Sequence, residues 1–575
     1  MVRLFRFLKP FKWLVACVLI FLFLQSMAEL YLPTLMSDVV NNGMMKGNIG
    51  YIWKYGGFML LVASGSAACS IVGSLLSSWA AVGFGRDLRS SVFTRVESYS
   101  LHEFDKIGTA SLITRTTNDI TQVQTVLVMM ARFMISAPIM CIGGIIMALS
   151  KDRKLTLILV VVLPVMIGII AIIISLVVPL FKALQKKLDR VNLVLRENLT
   201  GIRVIRAFNR LDSEKKRFAD ANLDLTDTAI RVNKIMAAMQ PVMMFLMNIT
   251  SVSIIWFAGL RINSNNLQLG DMMAFLQYAM QIMFSLIMVT IMFVMIPRAQ
   301  ASSVRINEVL DMAPEINDPE RPKRPEGQRG FVEFRDVTFS YPGAEQPAIS
   351  NITFAAYPGE VTAIIGGTGS GKSTLISLIP RFYDVDGGSV LVDGTDVREY
   401  AQKELRSKIG FVPQTAVLFT GTVADNIRFG KHDATDEEVR HAAEVAQASE
   451  FISGMKDGYA SEIAQGGTNV SGGQKQRLSI ARALVGRPEV YIFDDSFSAL
   501  DFKTDARLRA ALKRETADST VIIVAQRVST VMDADRIIVL DEGQIVGIGS
   551  HRELLDTCGV YREIVSSQLS EEEIA

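Results

Sequence analysis

The residues best suited to chemistry begin at Gly366, where GGTGSGKS runs to Ser373 between the apolar stretch EVTAII and the apolar stretch STLISLI. Glycines at this spacing let consecutive backbone N–H groups turn inward on an anion. Lys372 then reaches the β- and γ-phosphates of a nucleoside triphosphate, and Ser373 offers a hydroxyl to Mg²⁺. The strand–loop–helix setting is the one this spacing requires, so Gly366, Gly367, Thr368, Gly369, Ser370, Gly371, Lys372, Ser373 and Thr374 are the expected ATP cradle. A second apolar run, Val490 to Phe493, ends in adjacent carboxylates, and Asp494 fits the strand-end ligand on the Mg²⁺ side. Between the two strands, NVSGGQKQRLSIARAL (469–484) opens a helix at Ser471 and Gly473, whose N-terminal N–H groups form a second phosphate site. Two such sites far apart in one chain imply that two domains sandwich the nucleotide.

These residues need elements to position them, and the two halves of the chain supply different kinds. Across 575 residues the net charge is +1, from 59 Lys plus Arg against 58 Asp plus Glu, so nothing suggests a nucleic-acid partner. Cys17, Cys69, Cys141 and Cys558 lack metal-ligand or redox spacing. Six predominantly apolar stretches, near 13–33, 56–83, 122–150, 155–180, 235–260 and 270–297, reach the ~20 residues that cross a bilayer core. Ahead of them, 1–12 places Arg3, Arg6, Lys9 and Lys12 among Leu and Phe, as in a basic amphipathic helix on the inner membrane surface. The first span carries no small-residue cleavage site and is expected to be retained. Basic residues crowd the loop between spans 4 and 5, whereas the loops at 41–50 and 261–269 hold one each, Lys46 and Arg261. Both termini are therefore expected inside the cell, with KDRK (151–154) as a local exception. The stretches 84–121 and 181–234 read as helical without being apolar, so the helices are expected to extend into the cytosol.

Within the bundle, Gln25 with Glu29 and Gln277 with Gln281 stand at helical spacing and should avoid lipid. Spans 5 and 6 hold twelve methionines between Met236 and Met295, alongside Phe245, Phe257, Phe275, Phe284 and Phe293. Methionine is flexible and polarisable, which suits either a cavity for varied apolar cargo or ordinary helix packing. Gln25, Glu29, Met243, Met247, Gln277, Gln281 and Met288 are the candidate cavity residues.

Taken together the motifs resemble those of an ABC exporter half-transporter, with one six-helix membrane domain (13–300) fused through a linker (301–328) to one nucleotide-binding domain (329–575). The implied fold class is a membrane α-helical domain with cytosolic extensions plus an α/β P-loop domain. Tyr341 in VTFSYPG matches the aromatic that stacks on adenine, and Gln414 in GFVPQTAVLF matches the Q-loop, which contacts Mg²⁺. Ser471, Gly472, Gly473 and Gln474 match the signature that faces a partner's ATP. SALD, with Ser498 and Asp501, matches the D-loop. GTASLITRTTNDI (108–120) and ENLTGIRVIRAFNRLD (197–212) resemble coupling loops, expected at about 101–120 and 197–218.

The chain departs from that pattern at two places. The family's catalytic glutamate is Asp495 here, and its switch histidine is Gln526. Aspartate is one methylene shorter, and a misplacement of about an ångström can cost ~100-fold in rate. Glutamine hydrogen-bonds but has no titratable role. The resemblance then implies a site that binds ATP and Mg²⁺ but hydrolyses weakly, similar to the degenerate subunit of bacterial heterodimeric multidrug exporters. The expected partner is a second half-transporter carrying the Glu and His. The expected setting is a bacterial inner membrane, with small hydrophobic or amphipathic cargo. Export of lipid or peptide, siderophore import on the same architecture, and an ATP-gated channel or regulatory subunit remain alternatives.

Overall fold

A computed structural model describes residues 1–325 and 327–569, with the side chains of Ala131 and 290–294 (Phe293 among them) outside the description. The chain divides into two compact units, Met1–Glu97 with Thr109–Met312 and Ser98–Gly108 with Ala313–Ala575.

In the first unit, six helical stretches among the described residues are long and apolar enough to cross a membrane: Val2–Met44, Ile49–Glu97, Thr109–Lys151, Arg153–Thr200, Leu211–Asn263 and Leu269–Val289. The chain is thus a multi-pass membrane protein. The helix Arg153–Thr200 has 48 residues. At 1.5 Å per residue that is about 70 Å, more than twice a hydrocarbon core, so a large part of it must stand in water. It starts where Asp152 accepts hydrogen bonds from the N–H groups of Lys154 (2.7 Å) and Leu155 (2.9 Å). The same carboxylate lies 2.7 Å from Arg261. Beside it, Lys151 pairs with Asp271 at 2.9 Å, and Ser37 donates to that carboxylate. The basic KDRK turn is therefore partly neutralised from within the bundle, which accounts for its departure from the loop-charge rule.

The first, third and last spans pack closely because the third carries small residues. A Cβ at Gly143 would stand 2.4 Å from Leu30, and one at Gly144 would stand 2.7 Å from Ile282. Tyr278, fully buried, donates to the carbonyl of Leu30 (3.1 Å) and shares a 2.6 Å hydrogen bond with Thr34. The last helix is Leu269–Asp311, so residues 301–311, expected in the linker, are helical. The reason is a buried stripe of Ala299, Ile306 and Val309, together with Ser302 and Arg305 donating to Asp119.

The second unit begins, unexpectedly for the sequence reading, with 98–108, which carries the short helix Leu101–Ile107 closed by a Ser100–Glu103 capping box. Glu103 also accepts from the N–H of Glu315 at 3.1 Å. A six-stranded sheet runs in the order Gln544–Gly549, Arg536–Asp541, Val361–Gly366, Thr520–Val524, Val490–Asp494, Ile409–Val412, all parallel except the first. Its central strands Val361–Gly366, Val490–Asp494 and Thr520–Val524 are buried on both faces, as parallel strands covered on two sides must be. Tyr491 and Phe493 join the helical layer built on Leu478, Ile480 and Leu508. Val490 and Ile492 join the opposite core with Phe334 and Phe354 of a second, antiparallel sheet.

Candidate functional site

The strand Val361–Gly366 delivers its last residue into the glycine loop. Gly366 has no room for a side chain, since a Cβ would meet the Leu540 carbonyl at 2.1 Å. Gly369 and Gly371 take φ of +86° and +94°, a left-handed backbone that only glycine adopts without strain. Lys372 is 8% exposed and donates to the carbonyls of Gly366 (3.0 Å) and Gly367 (2.6 Å). Its burial lowers the ammonium pKa, with Asp495 and Asp494 pulling the other way. Ser373 donates to Asp494 across 3.1 Å. Asp494 is buried at the end of its strand, and burial raises its pKa against that hydrogen bond.

A hydroxyl and a carboxylate brought together beside an ammonium and open glycine N–H groups form a donor set that fits Mg²⁺ with a triphosphate. Gly367 and Gly369 have nothing within 4 Å of where a Cβ would sit, so the loop is approachable. Thr368 is exposed, Ser370 is buried against the lysine at 3.3 Å, and Thr374 is buried. Tyr341 is 40% exposed, its hydroxyl 3.0 Å from Thr374 and its ring edge-on to Phe339 and Tyr383. That leaves ring surface on which a planar base can stack.

Asp495 follows with φ +44°, a strained setting for a non-glycine residue, fixed by its N–H bonding to the Val524 carbonyl at 2.9 Å. The turn throws its carboxylate back toward the loop after Thr520–Val524, where Gln526 donates its side-chain amide to it at 3.1 Å. Burial raises the Asp495 pKa, while hydrogen bonds from Gln414 and Ser498 lower it. The two departures from the family pattern are thus bonded to each other, and Gln414 reaches the same carboxylate. Ser498 also donates to the Asp495 carbonyl (2.9 Å), and Asp501 caps the helix Phe502–Glu515 through the N–H of Thr504.

The segment Ser471–Gln474 stands elsewhere on the unit. Ser471 caps Gly472–Leu484, with Ser471 Oγ accepting from the Gln474 N–H and Gln474 Oε1 accepting from the Ser471 N–H. That box alone gives Ser and Gln a local reason to be there. Ser471 and Gly472 are exposed, and a Cβ on Gly473 would come within 3.1 Å of the Ala499 carbonyl.

In the membrane unit a cavity of about 630 Å³ is lined by Gln25, Glu29, Met247, Gln277, Gln281 and Met288. Met243 does not line it: it is 3% exposed and packs with Met166 and Met283, one turn before Met247 on the same face. The cavity also takes in Phe284, named with the Met-rich spans, and Arg132 and Phe133, which the sequence reading passed over. A lone arginine inside an apolar span was the available signal for Arg132.

The model of the ABC transporter transmembrane region matches residues 15–286, and that of the ABC transporter matches residues 349–498. An uncharacterized ABC transporter ATP-binding protein of Mycobacterium tuberculosis is 44% identical over 98% of this chain and 97% of its own length. A fatty acid ABC transporter ATP-binding/permease protein of the same species is 34% identical over 83% of this chain and 75% of its own. A putative multidrug export ATP-binding/permease protein of Bacillus subtilis is 31% identical over 99% of both. The fold matches that of a bacterial Atm1-family ABC exporter with ATP bound, with a TM-score of 0.80 at 24% identity over 97% of this chain and 99% of that one.

Proposed function

The chain belongs to the ABC transporter family, as a transmembrane region joined to an ATP-binding domain, and we propose that it is one half of a bacterial inner-membrane exporter of hydrophobic or amphipathic compounds. Both termini lie in the cytoplasm. Tyr341 stacks on adenine, the loop Gly366–Gly371 holds the phosphates, and Lys372 offsets their charge. Ser373, Asp494 and Gln414 would hold Mg²⁺, which would supply neutralisation of phosphate charge. ATP seats between this site and the Ser471–Gln474 signature of a partner, and closure is passed to the bundle through the loops at 101–120 and 197–218. Apolar cargo is supported by the cavity's Met and Phe lining, and by the names of the fatty acid and multidrug relatives.

The chain's own site hydrolyses weakly, and the observation that carries this reading is the 3.1 Å hydrogen bond between Gln526 and Asp495. The amide holds the short carboxylate, and neither residue can take up a proton-bearing switch role at neutral pH as a histidine does. Two such sites in a homodimer turn over slowly, so the productive assembly is a heterodimer. Its partner brings the glutamate and histidine, and this chain brings the signature for that active site.

Steady-state ATPase of the purified chain beside an Asp495→Glu/Gln526→His variant tests this. Wild type is expected ~100-fold below the variant. Wild-type turnover of about ten per second, a typical enzyme value, would sink the weak-site reading and the heterodimer with it.

A further inference from the structure

The membrane cavity holds two opposite charges that do not meet. Glu29 accepts from the Gln25 side chain at 2.8 Å. Arg132, on the span Ile120–Lys151 that also contributes Ala137 to the wall, ion-pairs with no carboxylate among the described residues; its guanidinium lies 5.9 Å from the centroid of the neighbouring Phe133 ring. A third group is unanswered. Gln281 donates its amide to the Glu29 carbonyl at 3.2 Å, but its Oε1 is buried without a hydrogen-bond partner. The remaining wall is apolar, with Met247, Phe284 and Met288.

Ionisable groups inside a bilayer persist when something compensates them, and here the protein itself compensates neither pole fully. A purely anionic cargo would satisfy Arg132 and set a second negative charge near Glu29. A purely cationic one would do the reverse. A head group bearing both signs pairs with both and also supplies the donor that Gln281 Oε1 lacks. The cavity volume of about 630 Å³ is within the range that encloses a drug-sized ligand.

We propose that the preferred cargo is a zwitterionic amphipath, its anionic group on Arg132, its cationic group between Glu29 and Gln281, and its chain along Met247, Phe284 and Met288. This rests on the export reading of the cavity and names the cargo's charge class.

The test is equilibrium binding of three radiolabelled decyl amphipaths to the full chain in lipid nanodiscs, each below its micellar concentration: a decyl carboxybetaine, decanoate and decyltrimethylammonium. The betaine is expected to bind about tenfold tighter than either singly charged probe. Arg132→Gln should erase its advantage over the cation, Glu29→Gln should erase its advantage over the anion, and Arg132→Lys should keep both. Equal or tighter binding of decanoate or of the cation to wild type would overturn the charge assignment while leaving the cavity as a cargo site. Failure of all three probes to bind, with ATP still bound, would overturn the export reading of the cavity as well. The wild-type ranking decides the matter even where a variant does not fold.

Discussion

Adjacent aspartates at 494 and 495 are placed by one strand yet live in different surroundings. Asp494 is 7% exposed and faces Ser373, whereas Asp495 turns outward on a left-handed backbone to meet Gln526. Burial raises both above the ordinary 3.8. A carboxyl with a raised folded pKa is cost-free below its unfolded value and carries its full cost above the raised one, so stability falls as pH climbs between the two. Asp494→Asn removes that ionisation. Nucleotide-free protein carrying it should melt higher than wild type at neutral pH, and the difference should vanish as pH falls below 3.8. The same variant should lose the stabilisation that Mg-ATP gives wild type, because Ser373 is left without an anionic companion for the metal. Thermal melts with and without Mg-ATP at several pH values check both arms. A variant that melts lower at neutral pH would mean that the attraction to Lys372 outweighs burial.

Helix starts carry much of the element-scale logic. The signature helix Gly472–Leu484 opens on a Ser471–Gln474 capping box, and the long helix Arg153–Thr200 opens on Asp152. An N-cap serine is worth ~1 kcal/mol, so Ser471→Ala should speed amide exchange in the first turn of Gly472–Leu484 about fivefold, read by hydrogen–deuterium exchange. Exchange unchanged at that turn would show that packing against Ala499, rather than the cap, fixes the helix start. Asp152 does more than cap: its carboxylate also neutralises Arg261, so its loss would unseat the start of one span and strip another of its counter-charge.

At the scale of the whole molecule, a site completed by a second chain makes a prediction independent of any named partner. A chain carrying Asp495→Glu, Gln526→His and Ser471→Ala should be nearly inactive alone, since each restored site would face a disabled signature. Co-expressed with wild type and purified through tags on both copies, it should regain ATPase activity, because the wild-type signature serves the restored site. Activity of the triple variant alone, equal to that of Asp495→Glu/Gln526→His, would mean that Ser471 of a second chain is not needed.

The sequence by itself determined the two-part architecture, the six apolar spans, the glycine loop and the strand-end carboxylate. These are legible because each rests on short-range chemistry: a run length, a fixed spacing, a glycine where only glycine fits. The helical extension through 301–311 and the grouping of 98–108 with the second unit were not legible, because they depend on hydrogen bonds to Asp119 and between Glu315 and Glu103 that leave no local mark. The Asp495–Gln526 bond joins residues 31 positions apart, and the cavity gathers Glu29, Arg132 and Gln281 from three helices. Period 3.6 marks which residues share a face of one helix, but not which face meets which neighbour. Met243 and Met247 share a face one turn apart and border the same methionine cluster, and only tertiary packing decides that Met247 reaches the cavity while Met243 is buried short of it.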